Sequence, residues 1–358
     1  MSVVAPVRGD RRTAASTSPT ADLSVVICAY TEERWDELVA AVTSAQRQQP
    51  APREVVVVID YNRRLFERVR ERFPDLIVVE NTGPRGLSGA RNTGIAVSTG
   101  AVIAFLDDDA EAYPGWLAAL VDAYRRPGVV GVGGQIEPAW QRGRPAWFPP
   151  EFDWVVGCSY RGMPVQAGPV RNFIGCNMSF RRDVLAATGG FATSLGRVGA
   201  WPVGAEETEL CIRTEQRFPG SVLLHEPAAR VRHQVPARRA CLLYFLTRCF
   251  AEGQSKARMG RLVRGRRGLS SEWAYTLWTL PRGVLDNLVG ACRQHDRGAL
   301  ARAGLIVGGL GVTTASYLAT SAQLWLDRRR RGDWQPSEPP LGASAGASAP
   351  GQHGAPRI

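Results

Sequence analysis

Apolar and polar positions divide the first 125 residues into short apolar runs that alternate with amphipathic segments. Leu23–Ala29 predicts a first strand, and Arg34–Gln48 carries Trp35, Leu38, Val39 and Val42 at helical spacing. Glu54–Asp60 is a nearly unbroken β-branched run, the pattern of a parallel strand buried on both faces. Leu65–Phe73 predicts a helix, Leu76–Glu80 a third strand and Ser88–Ser98 a glycine-containing helix. Ala101–Leu106 predicts a fourth strand, and Pro114–Arg125 a helix with proline near its start. Alternation of this kind gives βαβ units and an α/β fold with a mostly parallel, Rossmann-like sheet.

The pattern loosens after residue 127. Val129–Ile136, Asn177–Phe180, Ser221–Leu224 and Ala229–His233 read as strands, Arg182–Thr188 and Glu206–Arg217 as helices, and Gly189–Phe191 as a turn. Residues 138–172 are rich in Pro, Gly, Trp and Arg without a period, and a stretch that long inside a compact domain is usually functional. From Ala240 the chain turns apolar. Cys241–Ala251 carries one Arg, and Trp273–Val289 is interrupted by Pro281, Arg282 and Asp286. Ala303–Leu326 has no charged residue over 24 positions, long enough to cross a bilayer. Its Gly, Ser and Thr content suits helix–helix contact in lipid. The expected organisation is a disordered leader at 1–21, an α/β domain at 22–255, basic and apolar membrane-associated helices at 256–331 with a candidate span at 303–326, and a disordered tail at 332–358. The leader lacks the apolar centre of a signal peptide.

The formal net charge of +11 sharpens the picture of the C-terminal part. The surplus concentrates after about residue 230, in Arg258–Arg267 and Arg328–Arg331, and both clusters flank apolar segments. That arrangement suits an anionic membrane surface. No nucleic-acid motif is present and no aromatics interleave with the basic runs, so nucleic acid is not an expected partner. The seven cysteines are scattered, odd in number and form no C-x-x-C pair, which argues against a disulfide framework or a zinc site and fits a reducing compartment.

The densest chemistry is Asp107-Asp108-Asp109, directly after the apolar run Ala101–Leu106. Carboxylates at the C-terminal edge of a strand face the crevice where α/β sheets bind ligands. Hard oxygen ligands there suit Mg²⁺ or Mn²⁺ carrying a phosphorylated substrate. Other signals fall in order around it: Val25–Glu32 ending a strand in a polar turn, Val56–Asp60 ending a strand in an acid, the glycine-rich Gly86–Gly94 opening a helix, Gly204–Leu210 with its Glu206-Glu207 pair, and Val231-Arg-His233. Together these motifs resemble the family 2 inverting glycosyltransferases of the GT-A fold, in their membrane-associated subgroup. The resemblance covers roughly residues 22–255.

The resemblance implies a role for each motif. Ala29, Tyr30 and Glu32 would pack against a donor nucleotide, with Cys28 standing where the family often has Pro and Thr31 where it often has Asn. Asp60 would contact the uracil ring. Arg91 would lie near the donor, suited to phosphate or to orienting the acids. Asp109 would bind the divalent metal and Asp107 would face ribose or bound water beside it. His233 would supply the third metal-site position, and the direction of Asp108 stays open. The catalytic base would come from Glu206-Glu207, where the family has Glu-Asp. Glu207 holds the Asp position, and Glu206 is the alternative. Arg248, in Thr247–Lys256, would reach the diphosphate or a lipid phosphate.

The implied function is inverting transfer of a sugar from a nucleotide-sugar donor, UDP-linked, to a lipid-linked or cell-envelope glycan acceptor. A polyprenyl-phosphate glycosyl synthase and a non-catalytic, membrane-anchored nucleotide-sugar-binding scaffold are the alternatives. A cytosolic donor places the catalytic domain on the cytoplasmic side of the cytoplasmic membrane. A single span from Ala303 would then put Arg328–Arg331 outside, against the positive-inside tendency. A re-entrant, two-pass or in-plane arrangement removes that conflict.

Overall fold

The computed structural model describes residues 20–194, 206–262 and 274–330. The expected leader to residue 19, the Gly204-Ala205 opening of the acidic pair, Val263–Arg267 of the first basic cluster, Trp273, Arg331 and the tail lie outside the described residues.

The strands are β1 (Thr20–Ala29), β2 (Ala51–Ile59), β3 (Ile77–Glu80), β4 (Val102–Asp107), β5 (Ala110–Ala112), β6 (Val129–Trp140), β7 (Gly168–Pro169), β8 (Asn177–Arg181) and β9 (Val222–Val235). They form one sheet in the order β3-β2-β1-β4-β8-β6-β9-β5, with β7 paired to β9. The β3-β2-β1-β4 half is parallel throughout. Its βαβ connections are α1 (Trp35–Gln46), α2 (Arg63–Arg72) and α3 (Leu87–Val97). Beyond β4 the sheet is mixed: β8 is antiparallel to β4 and β6, and β6 is parallel to β9.

Both faces of the parallel half are covered, which explains its unbroken apolar runs. Val25, Ile27, Val55, Val57 and Ile59 point into one core with α1 and α2, and with α4 (Trp116–Ala123). Val26, Val56 and Val58 point into the other, with Ala90 of α3 and with Leu210 of α6 (Glu206–Arg217). The short α5 (Arg182–Thr188) follows β8.

Sequence and structure differ at two strands. Ser221–Leu224 and Ala229–His233, expected as separate strands, run as the single strand β9 with a register shift between the Gly134–Glu226 and Gln135–Arg230 pairs. A Cβ on Gly134 would lie 1.9 Å from the Ala229 carbonyl, so glycine is required where the chain bulges. The buried Asn177 amide donates to that carbonyl (2.8 Å) and to Gln135 O (3.1 Å), tying β8 to the bulge. The three-residue β5 was not expected at all, because strands that short leave no periodicity to read.

The C-terminal helices are α7 (Leu242–Leu262), α8 (Leu280–Gln294, entered through a π-helical turn at Tyr275–Thr279) and α9 (Ala299–Arg330). The expected domain boundary at 255/256 falls inside α7, and Thr20 and Ala21, expected in the leader, begin β1. The helices clasp the turn Pro150–Val156: Trp154 Nε1 donates to Tyr275 Oη (3.2 Å), which donates to the Glu151 carbonyl (2.6 Å). Much of the aperiodic stretch 138–172 is thus the seam between sheet and helices.

Candidate active site

Parallel strands β1, β2 and β4 end side by side, so their C-terminal residues meet at one edge. Ala29 is buried at the end of β1, and its carbonyl accepts from Asp60 N at 2.8 Å. Asp60 is buried and accepts from Asn81 Nδ2 (2.7 Å) and from Gly86 N (3.0 Å). The second contact fixes the start of α3, where Gly86 has φ +122° and a Cβ on Gly89 would come within 1.9 Å of Pro84 O. Tyr30 stays exposed, with the Arg34 guanidinium 5.7 Å from its ring centre. Ala29, Tyr30, Asp60, the three aspartates and His233 border a cavity of about 290 Å³. Glu32 is not among its described lining residues; its carboxylate pairs with Arg64 at 3.2 Å.

The three aspartates have different surroundings. Asp107 is the least buried, and its Oδ1 accepts from Arg91 Nη2 at 3.3 Å. Asp108 and Asp109 are buried and share Arg34, whose Nη1 lies 2.8 Å from Asp108 Oδ1 and 3.1 Å from Asp109 Oδ2. Burial is the larger influence on Asp108; with Asp109 and Asp107 beside it, it outweighs Arg34 and pushes the carboxyl up to about 7. Asp109 behaves oppositely. Burial would raise it, but His233 at 3.1 Å, Arg34 and Arg239 at 3.6 Å hold it well below the usual carboxylate range. The partnership with His233 follows from β5: Ala110 pairs with His233 across the β5–β9 ladder, and Gln234 N donates to Asp109 O. Sequence reading had Asp109 and His233 as partners by resemblance; Arg34 and Arg239 it missed.

A second cavity of about 270 Å³ shares Asp107, His233 and Arg239 with the first and is bordered also by Arg91, Glu206 and Glu207. Arg91 is 2% exposed and sits between the two acidic motifs. Its Nη1 donates to Glu206 Oε1 (3.0 Å), its Nη2 to Asp107 and to Gly175 O (3.1 Å), and its guanidinium lies over the Phe191 ring. Burial opposes its charge, but Asp107 and Glu206 outweigh burial and raise its pKa. Glu206 is 3% exposed and committed to Arg91, whereas Glu207, one residue on, is only partly buried. The far wall comes from the helices: Arg248 and Lys256 of α7, Tyr275, and Leu310 and Thr313 of α9.

The residues present fit a divalent cation. Asp109 Oδ1 and His233 Nε2 are 3.1 Å apart. Two adjacent ligands of an octahedral ion at about 2.1 Å would be separated by about 3.0 Å. Asp107, His233 and Cys176 also bring ligand atoms within 4.8 Å of one another. The sequence reading treated the cysteines as small core residues, and Cys176 is buried; burial holds its thiol well above its ordinary pKa, so it offers a neutral sulfur. Carboxylate and imidazole donors match Mg²⁺ or Mn²⁺ better than that thiol does. Asp108 Oδ2 is buried and without a hydrogen-bond partner among the described residues, a further polar atom in the same cluster.

The family described as Glycosyl transferase family 2 matches residues 24–189. Glucosyl-dolichyl phosphate glucuronosyltransferase of Haloferax volcanii is 39% identical over 244 residues, covering 67% of this chain and 78% of that protein. The chain belongs to glycosyl transferase family 2. Another relative, succinoglycan biosynthesis protein ExoM of Rhizobium meliloti, is 28% identical over 307 residues, covering 82% of this chain and 94% of the relative. Among solved structures, mannosyltransferase PcManGT from Pyrobaculum calidifontis, in complex with GDP-Man and Mn2+, aligns with TM-score 0.49 and 20% identity over 88% of this chain and 87% of that one. The protein is a glycosyltransferase of the GT-A fold, and the matched segment 24–189 carries β1 to β4, the three aspartates and Arg91. Glu206, Glu207 and His233 lie beyond that segment, on α6 and β9.

Proposed function

We propose that the protein transfers a sugar from a UDP-linked donor, with inversion, to a polyprenyl-linked acceptor at the cytoplasmic face of the membrane. The observation that carries this reading is the pair of cavities. They meet at Asp107 and His233, and Glu207 borders only the one that faces the helices. The first cavity takes the nucleoside diphosphate, with Asp60 and Ala29 against the base and Asp107, Asp109 and His233 at the diphosphate. A bound Mg²⁺ or Mn²⁺ would neutralise charge on the departing nucleoside diphosphate. The second cavity takes the acceptor.

Glu207 removes the proton from the acceptor hydroxyl as its oxygen attacks the anomeric carbon, on the face opposite the departing diphosphate. Glu206 is not the base in this reading. Its Oε1 holds Arg91, which in turn holds Asp107, so the donor and acceptor halves share one buried cation. Arg248 and Lys256 supply positive charge, and Leu310 and Leu280 apolar surface, to the cavity wall. That combination suits the phosphate and first isoprene units of a lipid-linked acceptor, whether a polyprenyl phosphate or a polyprenyl-diphosphate glycan. The name of the Haloferax relative supports a lipid-phosphate substrate, and that of ExoM a glycan-building role, since it names succinoglycan biosynthesis.

Nucleotide release from UDP-sugars with Mn²⁺, with and without polyprenyl phosphate, tests the reading. Turnover is expected to vanish in Asp109→Ala, in Glu207→Gln and on chelation. Full activity in Glu207→Gln with a dead Glu206→Gln would reverse the base assignment. Unchanged turnover after chelation would remove the metal from the reaction.

A further inference from the structure

Among the described residues α9 alone is long and apolar enough to cross a bilayer, and only 28% of its most apolar window is buried. Its packing argues for another placement. Ala299, Ala303, Ile306, Gly309, Ser316 and Thr320 are buried, a stripe at spacings of three, four and seven that runs along most of the helix. Protein meets that stripe along its length. Arg302 donates to Ala146 O (2.7 Å), Gly309 backs onto Phe152 and Phe245, and Thr313 Oγ1 and Ser316 Oγ reach the Cys249 and Phe250 carbonyls at 3.1 and 2.7 Å. Ala146 and Phe152 belong to the seam of the catalytic domain, and Thr313 borders the second cavity. Alongside α9, α7 carries Arg248, Glu252 and Lys256, the last two paired at 3.6 Å. A hydrocarbon slab of about 30 Å around α9 would have to enclose these ionisable groups and the cavity they line.

The outward faces are apolar. Of the 18 exposed large hydrophobic residues described, 14 lie between Leu242 and Leu326, so the sheet domain contributes only four. Trp278 on the π-helical turn and Leu285 and Leu288 on α8 recur at helical spacing; on α9 the exposed set includes Leu300, Val307, Leu318 and Trp325. Exposed Arg282, Arg293 and Arg297, with Arg329 and Arg330 at the end of α9, edge this surface, and the Arg329 guanidinium stacks 3.8 Å from the Trp325 ring centre.

We propose that α8, α9 and the start of α7 form an in-plane docking face for an anionic lipid surface, and that α9 lies on the membrane without crossing it. Apolar outer faces rimmed by arginine are the composition of interfacial helices, and indole rings favour the headgroup level. The charge of the rim selects an anionic bilayer over a second copy of this equally basic chain. The arrangement leaves Arg329 and Arg330 on the same side as the catalytic domain, as the positive-inside tendency requires. It also sets the second cavity, walled by Leu310 and Thr313, at the lipid surface where a polyprenyl-linked phosphate would present itself. The inference rests on the proposed membrane-borne acceptor and specifies how the enzyme meets it.

The test uses the full chain with phosphatidylcholine vesicles, with and without phosphatidylglycerol. Flotation is expected only with the anionic lipid and is expected to weaken with salt. Leu285→Glu with Leu318→Glu should lower the bound fraction about tenfold or more, and Arg329→Glu with Arg330→Glu should abolish the preference for anionic lipid. In sealed membranes, with the exposed Cys241 and Cys292 replaced by serine, Arg297→Cys and Arg330→Cys should both react with an impermeant maleimide from the cytoplasmic face. Reaction of Arg330→Cys only from the opposite face would overturn the proposal in favour of a span. Failure to float, or a stable dimer that excludes vesicles, would overturn it too. Donor hydrolysis measured in the same preparations keeps a docking failure apart from a failure of the glycosyl-transfer reading.

Discussion

The two cavities that meet at Asp107 are built in opposite ways. The first is framed mainly by ends of adjacent parallel strands, and its acids are already paired inside the protein: Asp60 with Asn81 and Gly86, Asp109 with His233 and Arg34. The second gathers residues from α3, the 150–176 stretch, α6, α7 and α9, and its far wall is held by packing and hydrogen bonds of the C-terminal helices. The difference separates two tasks. Recognising a charged nucleoside diphosphate needs fixed, preorganised groups. Receiving an acceptor of variable length needs a wall with cations on an apolar background. Arg91 borders the second cavity and is tied to the first through its ion pair with Asp107, while its other pair holds Glu206.

The strongest way to break this comparison is therefore Arg91→Ala. It removes a fully buried cation and leaves Glu206 and Asp107 facing each other across the space. Loss of one partner of a buried ion pair costs about 3–5 kcal/mol. Denaturant titration should show a loss of that order, and nucleotide release should fall below detection. Arg91→Lys keeps the charge but cannot reach Asp107, Gly175 O and Glu206 together; it should fold better than Arg91→Ala and remain nearly inactive. A stable, active Arg91→Ala enzyme would show that the cavities work independently.

Glu207→Gln and Glu206→Gln divide the cavities next. Loss of a general base lowers turnover by about 10²–10⁴-fold. Glu207→Gln should show that loss with the donor KM little changed, because Glu207 does not border the first cavity. Glu206→Gln should instead alter donor KM and turnover together, since it weakens the hold on Arg91 and through it on Asp107. Titration calorimetry with UDP separates the two, as UDP affinity should drop only in the Glu206 variant.

These positions also mark where the sequence stops being readable. Strands β1 to β4 announce themselves by apolar runs, and their terminal acids by position, because βαβ order forces parallel strand ends together. Glu206 and Glu207 were visible as a pair, but their different fates were not. One carboxylate points to Arg91, more than a hundred residues away in the chain, and no local pattern encodes that. Arg34 read as the start of a helix and Arg239 fell in no motif, yet both lie within 3.6 Å of Asp109. Their role depends on β5 and β9 closing over the strand edge, a pairing carried by three residues. The stretch 138–172 hid its purpose for the same reason: Phe152, Trp154 and Tyr160 make sense only against α7, α9 and Tyr275.

Lys256→Met probes the second cavity with a smaller effect. Lys256 borders it and pairs with Glu252 at 3.6 Å. A charge-assisted contact to an acceptor phosphate is worth about 1.5–3 kcal/mol, so the acceptor KM should rise about tenfold or more, with donor hydrolysis in the absence of acceptor unchanged. An equal loss in both assays would place Lys256 on the donor side and erase the division between the cavities.

The smallest expected effect concerns the first cavity's own electrostatics and sharpens the contrast between its neighbouring acids. Burial pushes Asp108 up to about 7, above the value of 3.8 it has when free, so the folded chain binds more protons at this site than the unfolded chain between those limits. Stability must then fall as pH rises from about 4 to 7. Asp109 has the opposite sign: its pKa is depressed, so its contribution is present above the ordinary carboxylate range and is lost as pH falls through it. Asp108→Asn removes the first effect and leaves the second. In chelator, the variant should therefore gain on the native chain between pH 5 and 7, by at most about 2 kcal/mol. Below pH 4 both proteins should lose stability together, because the unfolded chain takes up a proton at Asp109 while the folded chain, holding Asp109 to His233, Arg34 and Arg239, resists doing so. A constant difference across the whole range would mean that Asp108 is ionised throughout, with Arg34 committed to it and Asp109 left to His233 and Arg239.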